Sequence, residues 1–338
     1  MQFTNNMPFH KRAILFPFLL CAIFFLKVPG EMLTKNDEAA SVWGTDRCKT
    51  VSCRFKAPNP ETPSKLVNEW HQQDTDLWSF VSENVPDVLE HTGAAAFDEH
   101  LRGVQAVLRY WDAPPHLTKA GLFHSIYGTE GFQGFALPLT QREAIQDLIG
   151  SQAEKLVFVF CMLDRSTLDQ TIFDYDTKNN NTNRLFQLRA RPELGRFNMT
   201  LTKDEWLDFV ELTLADWMEQ VEGAAETPSE IFLWKHPGEA YAYRRLAFRR
   251  MSRILAVERV PRLQTVVPQM LQDVMATEGE STLHLVQLRT PPMSQAAKDA
   301  LLALRAAGDN EGIPDDFLPR PIESNGNVVK IEPTCQKQ

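Results

Sequence analysis

The chain has 338 residues, of which 43% are hydrophobic and 23% are charged, and its formal net charge is −9 at pH 7. This composition excludes a disordered chain, a collagen-like fibre and a protein with many membrane spans. The balance of 35 basic against 44 acidic residues argues against binding to nucleic-acid polymers, and five cysteines are too few for a disulfide-stapled scaffold.

The most hydrophobic block is Ala13–Leu26, which directly follows the basic pair Lys11-Arg12. Its length fits the apolar region of a secretory signal, about 7–15 residues, and is short of the roughly 20 residues of a spanning helix. Because no clear cleavage site follows, residues 1–30 are expected to form either a signal peptide or an uncleaved signal anchor. We therefore expect a membrane-anchored, secretory or extracytoplasmic protein, with organelle targeting as a third alternative and membrane contact only through this segment.

The remaining chain divides by composition. Residues 31–63 are polar and interrupted by proline, which predicts a linker. Over 64–277 apolar residues recur at helical spacing, which predicts one all-α domain long enough to bury a substantial core. Residues 278–338 are expected to form a C-terminal extension with one helix and a Pro-rich tail. Strand-like alternation is nearly absent, and 283–288 is the one candidate strand.

Three pairs of residues predict the first turns of helices inside this domain. In such a pair the hydroxyl caps an amide of the first turn, and the carboxylate three residues later accepts from the capping residue's own amide. The pairs are Thr140 with Glu143, Ser151 with Glu154, and Thr202 with Glu205.

Two histidines and one aspartate lie on apolar helix faces and are the candidate metal ligands. His100 shares a face with apolar residues of the helix that begins near Phe97, and His124 ends the apolar run A-G-L-F-H-S. Either histidine alone is also explained as a core residue bonded to a backbone carbonyl, but two on successive helices favour a shared metal. Asp216 is either exposed at the edge of an apolar stripe or buried, and a buried carboxylate must be paired or ligated. The sequence thus predicts a divalent metal, Zn, Mn or Fe, on His100, His124 and Asp216.

Two runs carry a resemblance to known proteins. Ala120–Glu130 reads A-G-L-F-H-S-I-Y-G-T-E and Ala215–Gln220 reads A-D-W-M-E-Q, and both resemble an uncharacterised HD-like family. The order His100, His124, Asp216 is similar to the H…HD…D order of the HD superfamily, whose members are all-α metal-dependent phosphohydrolases. This resemblance covers about 86–261, and segments within it are also similar to the hydrolase domain of guanosine tetra/pentaphosphate synthetase–hydrolases. The resemblance implies an HD-domain-like helical bundle that hydrolyses a nucleotide or another small phosphoester.

The chain departs from the HD pattern at three positions. In active HD enzymes a metal-binding Asp follows the second His, and here that position is Ser125. An acidic pair that helps to activate water in the tetraphosphate hydrolases is replaced by Gly128 and Thr129. The resemblance then leaves Glu130, one position further, as the candidate catalytic base. The alternative is a degenerate site in a non-catalytic ligand-binding or scaffolding domain. A di-iron oxygen-activating site is a third alternative, and it normally needs the missing Asp.

Four residues are candidates for binding the substrate. Tyr127 and Thr129 flank the second histidine and are expected to line a pocket, or to form a tight turn with the glycine between them. Arg244 and Arg245 belong to an arginine-rich helix, and guanidinium groups bind phosphate in a bidentate way. The alternative for these arginines is a solvated basic face. The expected partner is therefore a small phosphorylated ligand, and the sequence identifies no protein partner.

Overall fold

The computed structural model describes residues 61–85, 97–132, 135–177, 182–226, 239–242 and 244–279. These residues are mostly helical, as the all-α prediction requires. The predicted signal or anchor segment, nearly all of the predicted linker and the strand expected at 283–288 lie outside the described residues. Within the described ranges, no helix combines the length and the apolar character that crossing a bilayer demands.

Ten helices and one hairpin make up the described part of the chain. In chain order they are α1 Ser64–Asn84, α2 Phe97–Tyr110, α3 Pro115–Phe123, α4 Arg142–Ile149, α5 Ser151–Met162, α6 Arg165–Phe173, β1 Phe186–Arg189, β2 Asn198–Leu201, α7 Lys203–Glu226, α8 Glu239–Ala242, α9 Arg245–Glu258 and α10 Val266–Met275.

The central element is α7, a helix of 24 residues. It contacts α2, α3, α5, α8, α9, α10 and β2, so almost every face of it is buried. A helix covered on all sides is normally apolar all round, yet α7 also buries the carboxylates of Asp208, Glu211, Asp216, Glu219 and Glu222. A buried charge is costly unless it is paired. The buried carboxylates of α7 therefore need basic or hydrogen-bonding partners on the elements that pack against this helix.

The hairpin corrects the expectation that the domain is nearly free of strands. Its antiparallel register pairs Phe186 with Leu201 and Leu188 with Met199, and all four side chains are buried. The ring of Phe186 stacks on Trp206 of α7 with centroids 4.2 Å apart, which attaches the hairpin to the central helix. Strands of four residues contain only two alternations each, too few to be recognised as strands in the sequence.

One of the three predicted capping boxes forms. The Thr202 amide donates to Glu205 Oε2 at 2.9 Å, and the Glu205 amide donates to Thr202 Oγ1 at 3.3 Å. The other two predictions were wrong. Thr140 lies in a 3₁₀ turn ahead of α4, and neither α4 nor α5 has a side-chain cap at its N-terminus. Neither the Thr140 hydroxyl nor the Ser151 hydroxyl therefore caps a helix.

Glu154 explains why the box at Ser151 does not form. Its carboxylate is fully buried and accepts hydrogen bonds from Arg142 Nε at 2.6 Å and Arg142 Nη2 at 2.8 Å. Gln146 donates to the same carboxylate at 3.0 Å. A charge-assisted bidentate bond is stronger than a neutral capping bond, so tertiary partners replace the local one.

Separate replacement of Thr202 and Ser151 tests whether only the Thr202 hydroxyl caps a helix. We expect Thr202→Ala to lower the free energy of unfolding by about 1 kcal/mol, because it removes a formed capping bond. That loss corresponds to a fall of about 2–4 °C in the unfolding midpoint of a domain of this size. Ser151→Ala is the matched control and is expected to change the midpoint much less. Thermal unfolding followed by circular dichroism measures both, and equal losses would contradict this assignment.

The arginine-rich helix that was expected to contain Arg244 and Arg245 is broken into α8 and α9. Arg244, which precedes α9, has a left-handed backbone with φ 54°. This conformation is unfavourable for a residue with a side chain. Arg244 is fully buried and its Nε donates to both carboxylate oxygens of Asp169 on α6 at 3.0 Å. The buried ion pair stabilises this residue at the break.

Candidate metal site

Three elements bring the predicted ligands together. His100 lies in the first turn of α2, His124 follows the last residue of α3, and Asp216 lies near the middle of α7. All three are buried, with exposed fractions of 1%, 0% and 3%. One ligand atom from each lies within 4.8 Å of the others, and this group could hold a metal ion.

The three ligand atoms form a nearly equilateral triangle. His100 Nε2 lies 3.1 Å from His124 Nε2, and each of these atoms lies 3.2 Å from Asp216 Oδ1. Two ligands of one tetrahedral zinc ion, each about 2.1 Å from it, are about 3.4 Å apart. The observed spacing is therefore close to that of atoms that share a single ion.

The outer nitrogens of both imidazoles determine which nitrogen is available to a metal. His124 Nδ1 donates to the Gly121 carbonyl at 2.7 Å, and His100 Nδ1 donates to Glu219 Oε2 at 2.5 Å. Since a carbonyl and a carboxylate only accept, each Nδ1 carries a hydrogen. Each Nε2 then faces the centre and is the nitrogen that a metal could bind, as in metal-binding histidines.

Charge at this centre also favours a cation. Burial alone lowers the pKa of His100, but Glu219 and Asp216 outweigh it and raise that pKa from 6.5 to about 9. Burial alone raises the pKa of Asp216, but its hydrogen bonds to His100 and His124 leave it well below its usual range. The carboxylate is therefore ionised. With its raised pKa, His100 carries a second hydrogen on Nε2, which faces Asp216 Oδ1 at 3.2 Å and His124 Nε2 at 3.1 Å. A metal cation would take the place of this proton, so the donor set fits a cation.

Sequence reasoning missed two polar neighbours on α7. Glu219 is 5% exposed and contacts His100, while Gln220 donates from Nε2 to Asp216 Oδ1 at 2.9 Å. Residues three and four positions apart lie on the same side of a helix. This spacing from Asp216 is the signal in the run A-D-W-M-E-Q that identifies them.

Ser125 and Glu130 lie at or next to the positions where the resemblance implies acidic side chains near the metal. Ser125, at the position where the resemblance implies a carboxylate, is buried and carries a neutral hydroxyl. Glu130, the predicted catalytic base, accepts from the Arg165 amide at the start of α6 at 3.0 Å through Oε2. Glu130 therefore has a structural partner of its own, and its catalytic role remains a prediction.

Tyr127 and Thr129, predicted to contact a substrate, are also bonded inside the domain. The Tyr127 hydroxyl donates to Glu154 Oε1 at 3.2 Å, and burial raises its pKa, with Glu154 adding to the shift. Thr129 Oγ1 accepts from the Phe132 amide at 3.0 Å. Between them Gly128 has a positive φ of 76°, which glycine adopts readily. The tight turn expected as the alternative is thus present.

The two candidate phosphate-binding arginines each face a carboxylate of the same chain. Arg244 is bonded to Asp169, and Arg245 Nη2 donates to Glu278 Oε1. Both arginines are buried, so the alternative interpretation as a solvated basic face is wrong for them. A phosphate that bound here would have to compete with these internal partners.

Comparison with known proteins adds one match. A family profile described as a domain of unknown function (DUF6817) matches residues 80–165. The matched segment includes His100, His124 and the whole run Ala120–Glu130, whereas Asp216 and Glu219 lie beyond it. No curated protein and no solved structure matches the chain. The chain is therefore similar over this segment to a family whose function is not assigned.

Proposed function

We propose that this protein is a metal-dependent hydrolase with an HD-domain-like helical bundle, acting on a nucleotide or another small phosphoester. The observation that carries the proposal is the buried group of His100, His124 and Asp216, with both Nε2 atoms facing inward. Structural zinc sites almost always have four protein ligands, whereas catalytic sites have three and leave a position open for water. A three-ligand set supports a catalytic centre.

The donor atoms support a particular class of metal. Two imidazole nitrogens and one carboxylate oxygen suit Zn, Mn or Fe, whereas Mg²⁺ and Ca²⁺ prefer sites made of oxygen ligands. Within the described part of the chain, the free thiol Cys161 is fully buried and its Sγ donates to the His124 carbonyl at 3.1 Å. Burial raises the pKa of this thiol to about 12. Cys161 is not part of the group formed by His100, His124 and Asp216, so this donor set contains no sulfur atom.

Each part of the site has a defined task in this proposal. A bound divalent ion would lower the pKa of its water and polarise a phosphoryl oxygen. The Gly121 carbonyl holds the His124 ring, and Glu219 holds the His100 ring, so that both rings keep the ligating nitrogen inward. Gln220 donates to Asp216 Oδ1 and fixes the orientation of the carboxylate. The chain's own residues thus orient the ligands and keep the centre dry.

Metal content and phosphate release test the proposal together. The full-length protein is purified without chelator, its metal is measured by elemental analysis, and phosphate release is assayed on a panel of nucleotides and p-nitrophenyl phosphate. We expect about one ion per chain and turnover that disappears on chelation and returns on reloading. The His100→Ala/His124→Ala double variant is the control and is expected to lose both properties. A wild-type protein without stoichiometric metal would overturn the proposal.

A second candidate function is favoured by the partners of the remaining predicted residues. Ser125 supplies no carboxylate, and Glu130, Arg244 and Arg245 are all engaged inside the domain. These observations support a non-catalytic HD-like ligand-binding or scaffolding domain in which the ion stabilises the fold. In the same experiment, stoichiometric metal without turnover on any phosphoester would select this function over hydrolysis.

A further inference from the structure

Glu219 is the second buried carboxylate at this centre, and it contacts the candidate ligand His100. Its Oε2 lies 2.5 Å from His100 Nδ1, on the outer side of the ring, and its side chain is 3% exposed. Because the two residues are 119 positions apart, this contact depends on the packing of α2 against α7. A carboxylate in this position does not bind the metal itself and acts on it through the histidine.

A glycine on the facing helix makes room for this carboxylate. Gly103 lies in α2, three residues after His100, and a Cβ added there would be 2.3 Å from Glu219 Oε1 and 2.8 Å from Glu219 Cγ. Glycine in the interior of a helix costs about 1 kcal/mol relative to alanine. No turn requires it, because Gly103 is not among the glycines with positive φ in the described ranges. Space for Glu219 is the physical reason for this residue.

We propose that Glu219 is a positioning residue that fixes His100 as a metal ligand and adjusts the site to a divalent ion. This role rests on the metal site proposed above. The Glu219 carboxylate keeps the hydrogen on His100 Nδ1 and makes His100 Nε2 a stronger electron-pair donor to the metal. Once an ion is bound to both Nε2 atoms the imidazoles are neutral, and Asp216 and Glu219 contribute two negative charges, which a divalent ion neutralises. Uncompensated charge in a buried site is costly, so the pair of carboxylates favours a dication over a monovalent ion.

The competing explanation is an ion pair that stabilises only the fold. Glu211 offers a matched comparison, because it lies on the same helix and is also buried. It accepts from both Nη1 and Nη2 of Arg262 at 2.6 Å. Removing either carboxylate disturbs a buried pair, but only Glu219 is bonded to a proposed ligand. The affinity for metal therefore separates a positioning role from a structural one.

The test compares Glu219→Gln with Glu211→Gln in the full-length protein. Affinity for Zn²⁺ is measured by competition with a chromophoric chelator, and the Co²⁺-substituted proteins are compared by visible absorption. We expect Glu219→Gln to bind Zn²⁺ about 10–100-fold more weakly and to alter the Co²⁺ bands. Glu211→Gln is expected to keep the wild-type affinity and spectrum while losing folding stability. Unchanged affinity in Glu219→Gln would overturn the positioning role.

Gly103→Ala tests the same role without changing any ionisable group. The added methyl group displaces Glu219, so we expect weakened Zn²⁺ binding in this variant too. If Glu219→Gln fails to fold, Gly103→Ala decides the question, and wild-type affinity in it would refute the role. The two proposals also fail differently. A wild-type protein that binds no metal removes the site itself, whereas tight wild-type binding with unaffected variants removes only the function of Glu219.

Discussion

Saturating Zn²⁺ is expected to raise the midpoint of thermal unfolding by about 8–16 °C. The three ligands converge only in the folded chain, so an ion that binds there stabilises the native state by mass action. At a free concentration of 1,000 times the dissociation constant this stabilisation is about 4 kcal/mol. In a domain of roughly 200 residues each kcal/mol shifts the midpoint by about 2–4 °C. Calorimetry of the metal-free and metal-loaded protein measures the shift.

Two histidine variants make this measurement specific. His124→Ala removes a ligand and leaves Asp216 with one imidazole, so we expect almost none of the metal-induced shift to remain. His116→Ala is the control, since His116 is bonded to Asp208 at 2.8 Å and is not part of the ligand group. It is expected to lower stability with and without metal while keeping the shift. An equal shift in His124→Ala would show that Zn²⁺ stabilises the protein through another site.

The second large effect concerns the ion pair at the break between α8 and α9. We expect Arg244→Met to lower the free energy of unfolding by about 3–5 kcal/mol, because it leaves the buried Asp169 without its counterion. Chemical denaturation gives this value. Arg189→Met is the control, since Arg189 is exposed on β1, and it is expected to change stability by less than about 0.5 kcal/mol. A similar small loss in Arg244→Met would contradict the pairing.

The free energy of unfolding that Arg244→Met loses is expected to depend on pH. Burial already raises the pKa of Asp169 in the wild type even though Arg244 lowers it. Without Arg244 that pKa rises further above its unfolded value, so the folded state prefers the protonated carboxyl. Such a group destabilises the fold more as pH rises through its folded pKa. The loss relative to wild type is therefore expected to be smaller at pH 5 than at pH 8.

The convergence of His100, His124 and Asp216 could be predicted because their local patterns are unusual. His100 and His124 interrupt strongly apolar helix faces, and Asp216 lies in an apolar stretch of α7. A polar group in such a position must have a partner, and three of them suggested a shared one. The structure brings the three side chains together. The helical class was predictable for a similar reason, since the apolar spacing extends over long helices.

The remaining features depend on contacts between distant parts of the chain. Arg244 and Asp169 are 75 residues apart, so no local pattern distinguishes this buried pair from a solvated basic face. Thr202 and Ser151 begin the same capping motif, yet Glu154 has tertiary partners and Glu205 accepts from the Thr202 amide. Glu219 was missed because an acid three residues after another is common on exposed helix faces. In each of these cases, contacts with distant residues, and not the local sequence pattern, determine the partner of the side chain.

The candidate metal ligands come from distant parts of the chain, which has a consequence for assembly. Any cut of the chain between His124 and Asp216 would separate the two histidines from the aspartate. Neither fragment alone could complete the triangle, so the ion would bind tightly only after both fragments had docked through α2, α3 and α7. A coloured ion such as Co²⁺ would then report fragment complementation directly. The centre would serve as a built-in optical probe of whether the two halves of the protein have come together.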